Sequence, residues 1–108
     1  MSYNIEMLRV FERELKQLVK KYPSLKSDLS ALIDILEQEP EQGTSLGKGC
    51  YKVRLAITSK GKGKSGGARV ITYVKIVKKT VYLLAIYDKS AQQNISDAEL
   101  TALINLIP

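Results

Sequence analysis

The spacing of apolar residues changes between the first forty residues and the stretch that starts at Cys50. Before Pro40, leucines and aromatic residues recur every three or four positions, first at Leu8, Phe11, Leu15, Leu18 and Tyr22 and then at Leu25, Leu29, Leu32 and Leu36. This period is typical of amphipathic helices, and Pro23 separates the two stripes. The chain is therefore predicted to open with a helical hairpin whose two stripes lie in the core.

From Cys50 onward, apolar residues alternate with polar ones, which is the period of a half-buried strand. The inward residues of the first predicted strand are Tyr51, Val53, Leu55 and Ile57. Those of the second are Val70, Thr72, Val74 and Ile76. A third run, residues 81–87, is apolar on both faces, as in a central strand that is covered on each side. The short links between the three strands predict an antiparallel meander.

Two shorter elements complete the predicted fold. Residues 3–7 are expected to form a strand, and Ser96 with Glu99 forms a capping box that opens a last helix. The residues that this helix should bury are Leu100, Leu103, Ile104 and Ile107. With 108 residues, of which 44% are apolar, the chain is expected to form a single domain, residues 1–108. The predicted class is α+β with the order β-α-α-β-β-β-α, the meander sheet packing against the helical hairpin.

Several classes of protein fit this composition poorly. Its apolar runs fall short of the roughly 18 residues that a membrane span needs, and charges interrupt the start where a signal peptide would be apolar. Cys50 is the only cysteine, so it is expected to be an inert apolar residue in a reducing compartment, and the protein to be cytoplasmic. Because the chain has no histidine, a structural zinc site is excluded and a catalytic one nearly so.

Positive charge is concentrated in one part of the chain. Residues 47–89 hold eleven Lys or Arg against one acid, Asp88, whereas residues 1–46 hold six basic and eight acidic side chains. Clustered cations favour a polyanionic partner, and nucleic acid is the first candidate, although they could merely solubilise a sheet face. Residues 58–67 contain four glycines with Lys60, Lys62 and Lys64. We expect a mobile basic loop that contacts phosphate; the alternative is a solvated hairpin connection.

Three segments carry a resemblance to a known family: CYKVRLAI at 50–57, GARV at 67–70 and YLLAIYDK at 82–89. In their order and spacing they resemble the RelE/HigB family of toxins from bacterial type II toxin–antitoxin systems, and the KGKSGGAR loop is closest to the HigB-like branch. The resemblance implies a compact RelE-like microbial-ribonuclease fold that enters the ribosomal A site and cleaves mRNA. It also implies an antitoxin partner, often a helix-turn-helix repressor, and no metal or organic cofactor.

The basic residues fit the chemistry that the resemblance implies. Cleavage of RNA by its own 2′-hydroxyl needs a base, an acid and cations for the charge that builds on phosphorus. Without histidine, a lysine whose charged form is disfavoured by crowding or desolvation can move the protons. Lys52, Arg54 and Arg69 match basic positions of the RelE pattern, and Lys89 falls where that pattern is also basic. We expect Arg69 to stabilise the transition state, Arg54 to orient phosphate, and Lys52 and Lys89 to transfer protons.

Other positions depart from the family pattern or allow two interpretations. The RelE pattern has a further Arg where this chain has Ser90, and a Tyr near the position of Ile95 and Ser96. Tyr73 and Tyr87 are therefore candidates to stack on a splayed RNA base, although either could be an ordinary sheet residue. Without the resemblance, Lys52 and Arg54 could be solvated cross-strand partners. Further RNA contacts are expected from Lys60, Lys62, Lys64 and Lys75.

The sequence thus predicts a toxin that acts as a ribosome-dependent mRNA endonuclease. One alternative is a ParE-like toxin, which binds DNA gyrase with the same scaffold and needs no polar catalytic face. The cluster of Lys52, Arg54 and Arg69 argues against that alternative. Another is an RNA-binding or regulatory module that has lost catalysis, as the missing Arg and Tyr would suggest.

Overall fold

The computed structural model describes residues 2–61 and 66–108. Within those residues the elements are β1 (Asn4–Met7), α1 (Arg9–Lys21), α2 (Leu25–Gln38), β2 (Thr44–Gly47), β3 (Cys50–Leu55), β4 (Ala68–Lys75), β5 (Thr80–Asp88) and α3 (Asp97–Ile104). A single 3₁₀ turn, Thr58–Lys60, follows β3. The predicted α+β class and the order of the predicted elements are confirmed, with one additional strand, β2.

The five strands form one mixed sheet in the order β1-β5-β4-β3-β2. β1 runs parallel to β5, and the other neighbours are antiparallel, so β3, β4 and β5 are the predicted meander. β2 was missed by the sequence analysis. Its signal is the Gly47-Lys48-Gly49 segment, in which all three residues have positive φ and turn the chain back into β3.

The helical hairpin covers β5, β1 and β3. The two predicted stripes do supply the core: Phe11, Leu25 and Leu36 are fully buried. Where β1 ends, α1 begins beside the exposed edge of β5, and the Glu14 carboxylate accepts the backbone N–H of Ile86 at 3.2 Å. Burial of this carboxyl group raises the pKa of Glu14. A side chain thus satisfies a strand-edge donor that β1 is too short to reach.

The last helix also begins as predicted. Ser96 Oγ accepts the N–H of Glu99 at 3.1 Å, and Glu99 Oε1 accepts the N–H of Ser96 at 3.2 Å, which is the complete capping box. Of the residues expected to be buried, Leu100 is buried and Leu103, Ile104 and Ile107 are half-buried. α3 packs on β5, where a cavity of about 250 Å³ remains between α1, the sheet and α3.

Some predicted positions are wrong at the ends of strands. Ile76 was expected to face inward but is 63% exposed, because β4 ends at Lys75 and Ile76 belongs to the turn that follows. Tyr51 is only half-buried, and its hydroxyl donates to Glu41 at 2.7 Å. A bulge between Ile71 and Thr72 shifts the register of β4 against β5, a tertiary feature that strict alternation does not reveal.

Candidate functional site

One face of the sheet gathers the predicted cationic residues. Arg54 of β3 pairs with Arg69 of β4, which in turn pairs with Tyr87 of β5, and Lys52 pairs with Ile71 in the next row. Side chains directly opposite each other in antiparallel strands share a face. Lys52, Arg54 and Arg69 therefore project from the same side of the sheet, on rigid strands.

These side chains line a cleft of about 250 Å³. Its full lining is Thr44, Lys52, Arg54, Arg69, Lys89, Gln93 and Asn94. All four residues predicted to be catalytic are present, and no carboxylate of the described residues joins them. The charges that line this cleft would attract an anion.

The neutral members of the lining were missed by the sequence analysis. Thr44 pairs with Lys52 across β2 and β3, and Asn94 Oδ1 accepts a hydrogen bond from the Lys52 ammonium at 3.2 Å. Gly43, with φ +84°, packs so closely on the Lys52 carbonyl that a side chain there would clash, which brings β2 against the cleft. Gln93 and Asn94 lie in the segment between β5 and α3, where composition alone carries no signal for a binding role.

Arg69 lies deeper than an exposed basic face would place it. Its side chain is on the cleft floor, 3% exposed, and its Nη1 donates to the Ala68 carbonyl at 3.0 Å. Burial, and then the charge of neighbouring Arg54, lower the pKa of Arg69 from its ordinary value. Arg69 is thus poorly solvated and lies opposite an exposed residue of like charge, Arg54, and a bound phosphate would offset the repulsion between them.

The single acid of the basic region faces the other side of the sheet. Asp88 is buried and accepts hydrogen bonds from Lys60 Nζ at 2.9 Å and from the Tyr22 hydroxyl at 3.0 Å. Burial opposes its charge, but hydrogen bonds from Lys60 and Ser90 hold the pKa of Asp88 well below its usual range. The bond to Asp88 in turn raises the pKa of Lys60.

The glycine-rich segment was expected to be a mobile loop, but its first residues form a fixed turn. Asp28 of α2 accepts both the backbone N–H and the hydroxyl of Thr58, and the Ser59 N–H donates to Ser24 Oγ at 2.8 Å. Those bonds, above all from Thr58, outweigh the cost of burial and lower the pKa of Asp28. Lys60 is thus held in an ion pair away from the cleft lining, and Lys62 and Lys64 lie outside the described residues.

The remaining predicted RNA contacts do not line the cleft. Tyr73 is half-buried with its ring 6.3 Å from that of Tyr82, and Lys75 is half-buried at the far end of β4. Tyr87 is buried beneath α3, where burial raises its pKa, and its hydroxyl has no hydrogen-bond partner among the residues that the structure describes. Stacking of Tyr87 on a base would require α3 to move.

The described parts of the chain hold neither a cluster of metal ligands nor a membrane-spanning helix. Residues 2–61 and 66–108 contain no group of three acidic, cysteine or histidine side chains placed to hold a metal ion. The helices in those ranges are too short or too polar to cross a bilayer.

Solved structures of RelE toxins share this fold. The free form of an E. coli RelE double mutant superposes with a TM-score of 0.63, at 17% identity over all of both chains. The RelBE2 toxin–antitoxin complex of Mycobacterium tuberculosis gives 0.59 at 16% identity, over 82% of this chain and 92% of the other. The intact E. coli RelBE complex gives 0.52 at 19% identity, over 81% of this chain and 96% of the other.

The sequence itself supplies the family. A model of the RelE toxin of the RelE/RelB toxin–antitoxin system matches residues 8–106, and the chain therefore belongs to the RelE family of toxins. The resemblance seen in the three sequence segments is confirmed. The finer assignment to the HigB-like branch stays a prediction.

Proposed function

We propose that this RelE-family toxin is a metal-independent endoribonuclease that cleaves mRNA on the ribosome and thereby inhibits translation in the cytoplasm. The observation that supports this most directly is the cleft in which Lys52, Arg54, Arg69 and Lys89 meet without a carboxylate. Four cations around a volume of about 250 Å³ suit the phosphate of one RNA linkage. A gyrase-binding toxin has no need for such a cleft.

In this proposal each cation has a role that its place in the cleft supports. Arg69, on the cleft floor and poorly solvated, binds the phosphate oxygen on which negative charge builds, and Arg54 beside it orients the same phosphate. One lysine, Lys52 or Lys89, takes the proton of the 2′-hydroxyl as a neutral amine, which becomes an ammonium while the 2′-oxygen attacks phosphorus. The other donates a proton to the departing 5′-oxygen. The strand termini are then a 2′,3′-cyclic phosphate and a free 5′-hydroxyl.

The neighbouring Asn94 has a part in this arrangement. Its amide oxygen accepts the Lys52 ammonium at 3.2 Å and so holds the lysine at the cleft wall. An amide orients the ammonium without adding the negative charge that a carboxylate would bring to a phosphate site. Asn94 is thus a positioning residue in this proposal.

A cognate antitoxin would neutralise the toxin. The RelBE complexes similar in fold hold RelE with its antitoxin, and we expect a helix-turn-helix protein as the partner here. It would cover the cleft with acidic side chains or displace α3, in which Leu100 is buried while Leu103 and Ile104 are only half-buried. A stable complex of this kind buries at least roughly 1,200 Å² in total.

Primer-extension mapping of transcripts after brief induction tests the proposed reaction. Cuts at in-frame codon positions, on translated messages only, are expected, and an untranslatable copy of the same message is the matched control. Intact messages together with gyrase-linked DNA breaks would overturn the proposal in favour of a ParE-like toxin. Growth arrest with neither outcome would favour the RNA-binding module.

Co-expression with the adjacent small open reading frame tests the antitoxin. The two proteins are expected to elute together in size-exclusion chromatography, and growth is expected to resume. Separate elution with continued arrest would contradict the pairing.

A further inference from the structure

Asp88 is the last residue of β5, and the chain that follows it forms one wall of the cleft. Successive side chains of a strand point to opposite faces, so Tyr87 and Lys89 lie on the cleft side while Asp88 points to the helical side. On that side its carboxylate joins two distant segments: Tyr22, which follows α1, and Lys60, which ends the 3₁₀ turn. Both bonds fix the end of β5 from behind the cleft.

The same carboxylate also shapes the chain after the strand. Asp88 Oδ1 accepts the backbone N–H of Ser90 at 3.0 Å and its hydroxyl at 2.8 Å, which is an Asx-turn. The Asp88 carbonyl accepts the N–H groups of Ala91 and Gln92 at 3.0 and 3.1 Å. The bonds of Asp88 therefore enclose Lys89 and start the segment that carries the cleft residues beyond it.

Lys89 is held on its remaining side by β4. Its backbone N–H donates to the Gly67 carbonyl at 3.1 Å, just before Arg69 enters the cleft floor. Between the Asx-turn and this bond, the backbone at Lys89 has one direction in which to project its side chain. The direction leads into the cleft.

We propose that Asp88 is a positioning residue that acts through Lys89, a role that rests on the proposed function because it presumes that Lys89 takes part in cleavage. Asp88 does not reach the cleft. From the opposite face of the sheet, it orients Lys89. Its side-chain hydrogen bonds hold the end of β5, where the backbone pairing of the strand stops. The simpler alternative is an ion pair that stabilises the fold without directing Lys89.

A double-mutant cycle separates the two roles. Asp88→Asn keeps the size of the side chain and an oxygen for the Ser90 N–H, but it removes the charge that binds Lys60 and so detaches the turn from the segment behind it. It is expected to slow cleavage on saturating ribosomes by about tenfold, the cost of a partly misplaced group. In a Lys89→Ala background the same change is expected to cost less than about threefold, because nothing is left to position. Equal losses in both backgrounds would overturn the proposal.

Asp28→Asn is the matched control. Asp28 is also a carboxylate with a lowered pKa that holds the 3₁₀ turn, but its bonds go to Thr58 and Ser24 and do not reach the end of β5. Its effect on cleavage is expected to be the same with and without Lys89. If Asp88→Asn does not fold, Ser90→Ala removes one of the bonds to Asp88 and leaves the ion pair, and its smaller loss must likewise disappear in the Lys89→Ala background.

Amide hydrogen exchange supplies a measurement that is independent of activity. In Asp88→Asn the segment that follows β5 is held less firmly, and the N–H groups of Lys89 and Gln92 are expected to exchange at least about tenfold faster, while those of β3 stay protected. Unchanged protection at Lys89 would overturn the positioning role whatever the enzyme does. Faster exchange in Asp88→Asn, together with a wild-type toxin that cuts no RNA, would instead count against the proposed function alone.

Discussion

The two faces of the sheet are built for different tasks. On the helical face, Phe11 of α1 and the α2 leucines at 25, 29, 32 and 36 are buried against the strands. On the cleft face, α3 buries one residue, Leu100, and leaves a cavity of about 250 Å³ beside Tyr87, whose hydroxyl has no hydrogen-bond partner among the described residues. The same face holds Arg69 and Arg54 side by side. The comparison teaches that apolar packing is densest on the helical face, whereas the cleft face combines looser packing with a group of cations.

The largest effect expected from this difference is on folding. Phe11→Ala, on the helical face, should lower the free energy of unfolding by about 3–5 kcal/mol, because a fully buried ring leaves a cavity. Leu103→Ala, in α3, is the control and should cost less than about 1.5 kcal/mol, because the side chain is half-buried beside an existing cavity. Denaturant titration measures both, and similar losses would refute the division between the faces.

The next effect is on cleavage. Arg69→Ala should slow cleavage by about a hundredfold or more and abolish growth arrest, because it removes the cation at the cleft floor. The fold should stay intact, because Arg69 lines the cleft and is not part of the apolar core, and the melting temperature checks this. Arg13→Ala, an exposed arginine of α1, should leave both unchanged. An Arg69→Ala toxin that still arrests growth would remove this residue from the mechanism.

The features that could be predicted from sequence are those that a short stretch of chain determines. The leucine stripes, the alternation after Cys50 and the Ser96–Glu99 capping box each depend on residues within a turn or a strand. They sufficed for the α+β class and for the gathering of Lys52, Arg54 and Arg69 on one face. Only the resemblance to RelE toxins gave Lys89 a role.

The features that were missed depend on contacts between distant segments. β2 has four residues, mostly exposed, and becomes a strand only by pairing with β3. Lys60 looked like a loop cation because its partner, Asp88, lies 28 residues further on. The burial of Arg69 likewise follows from the packing of three strands and the segment after β5, which no local pattern encodes.

The lysines of the glycine-rich segment are expected to differ in their contribution to RNA binding. Lys62→Gln with Lys64→Gln should weaken ribosome association and reduce the slope of log K against log salt by about 1.5, the value for two lost phosphate contacts. Lys60→Gln should change that slope much less and instead lower the melting temperature, because Lys60 is engaged by Asp88 behind the cleft. Ribosome association measured across a salt series tests this difference between the lysines. If Lys60→Gln reduces the slope as much as the change at Lys62 and Lys64 does, the ion pair of Lys60 opens on the ribosome.

The smallest expected effect is at Tyr87, where the cleft face borders α3. Its hydroxyl is buried with no hydrogen-bond partner among the described residues, so Tyr87→Phe should leave the free energy of unfolding unchanged or raise it by about 1 kcal/mol. Cleavage should change by less than about twofold, because this group lines the cavity under α3 rather than the cleft. Tyr73→Phe, on a half-buried tyrosine of β4, is the matched control. A loss of cleavage in Tyr87→Phe alone, at unchanged stability, would mean that α3 moves aside during the reaction and that the cleft continues beneath it.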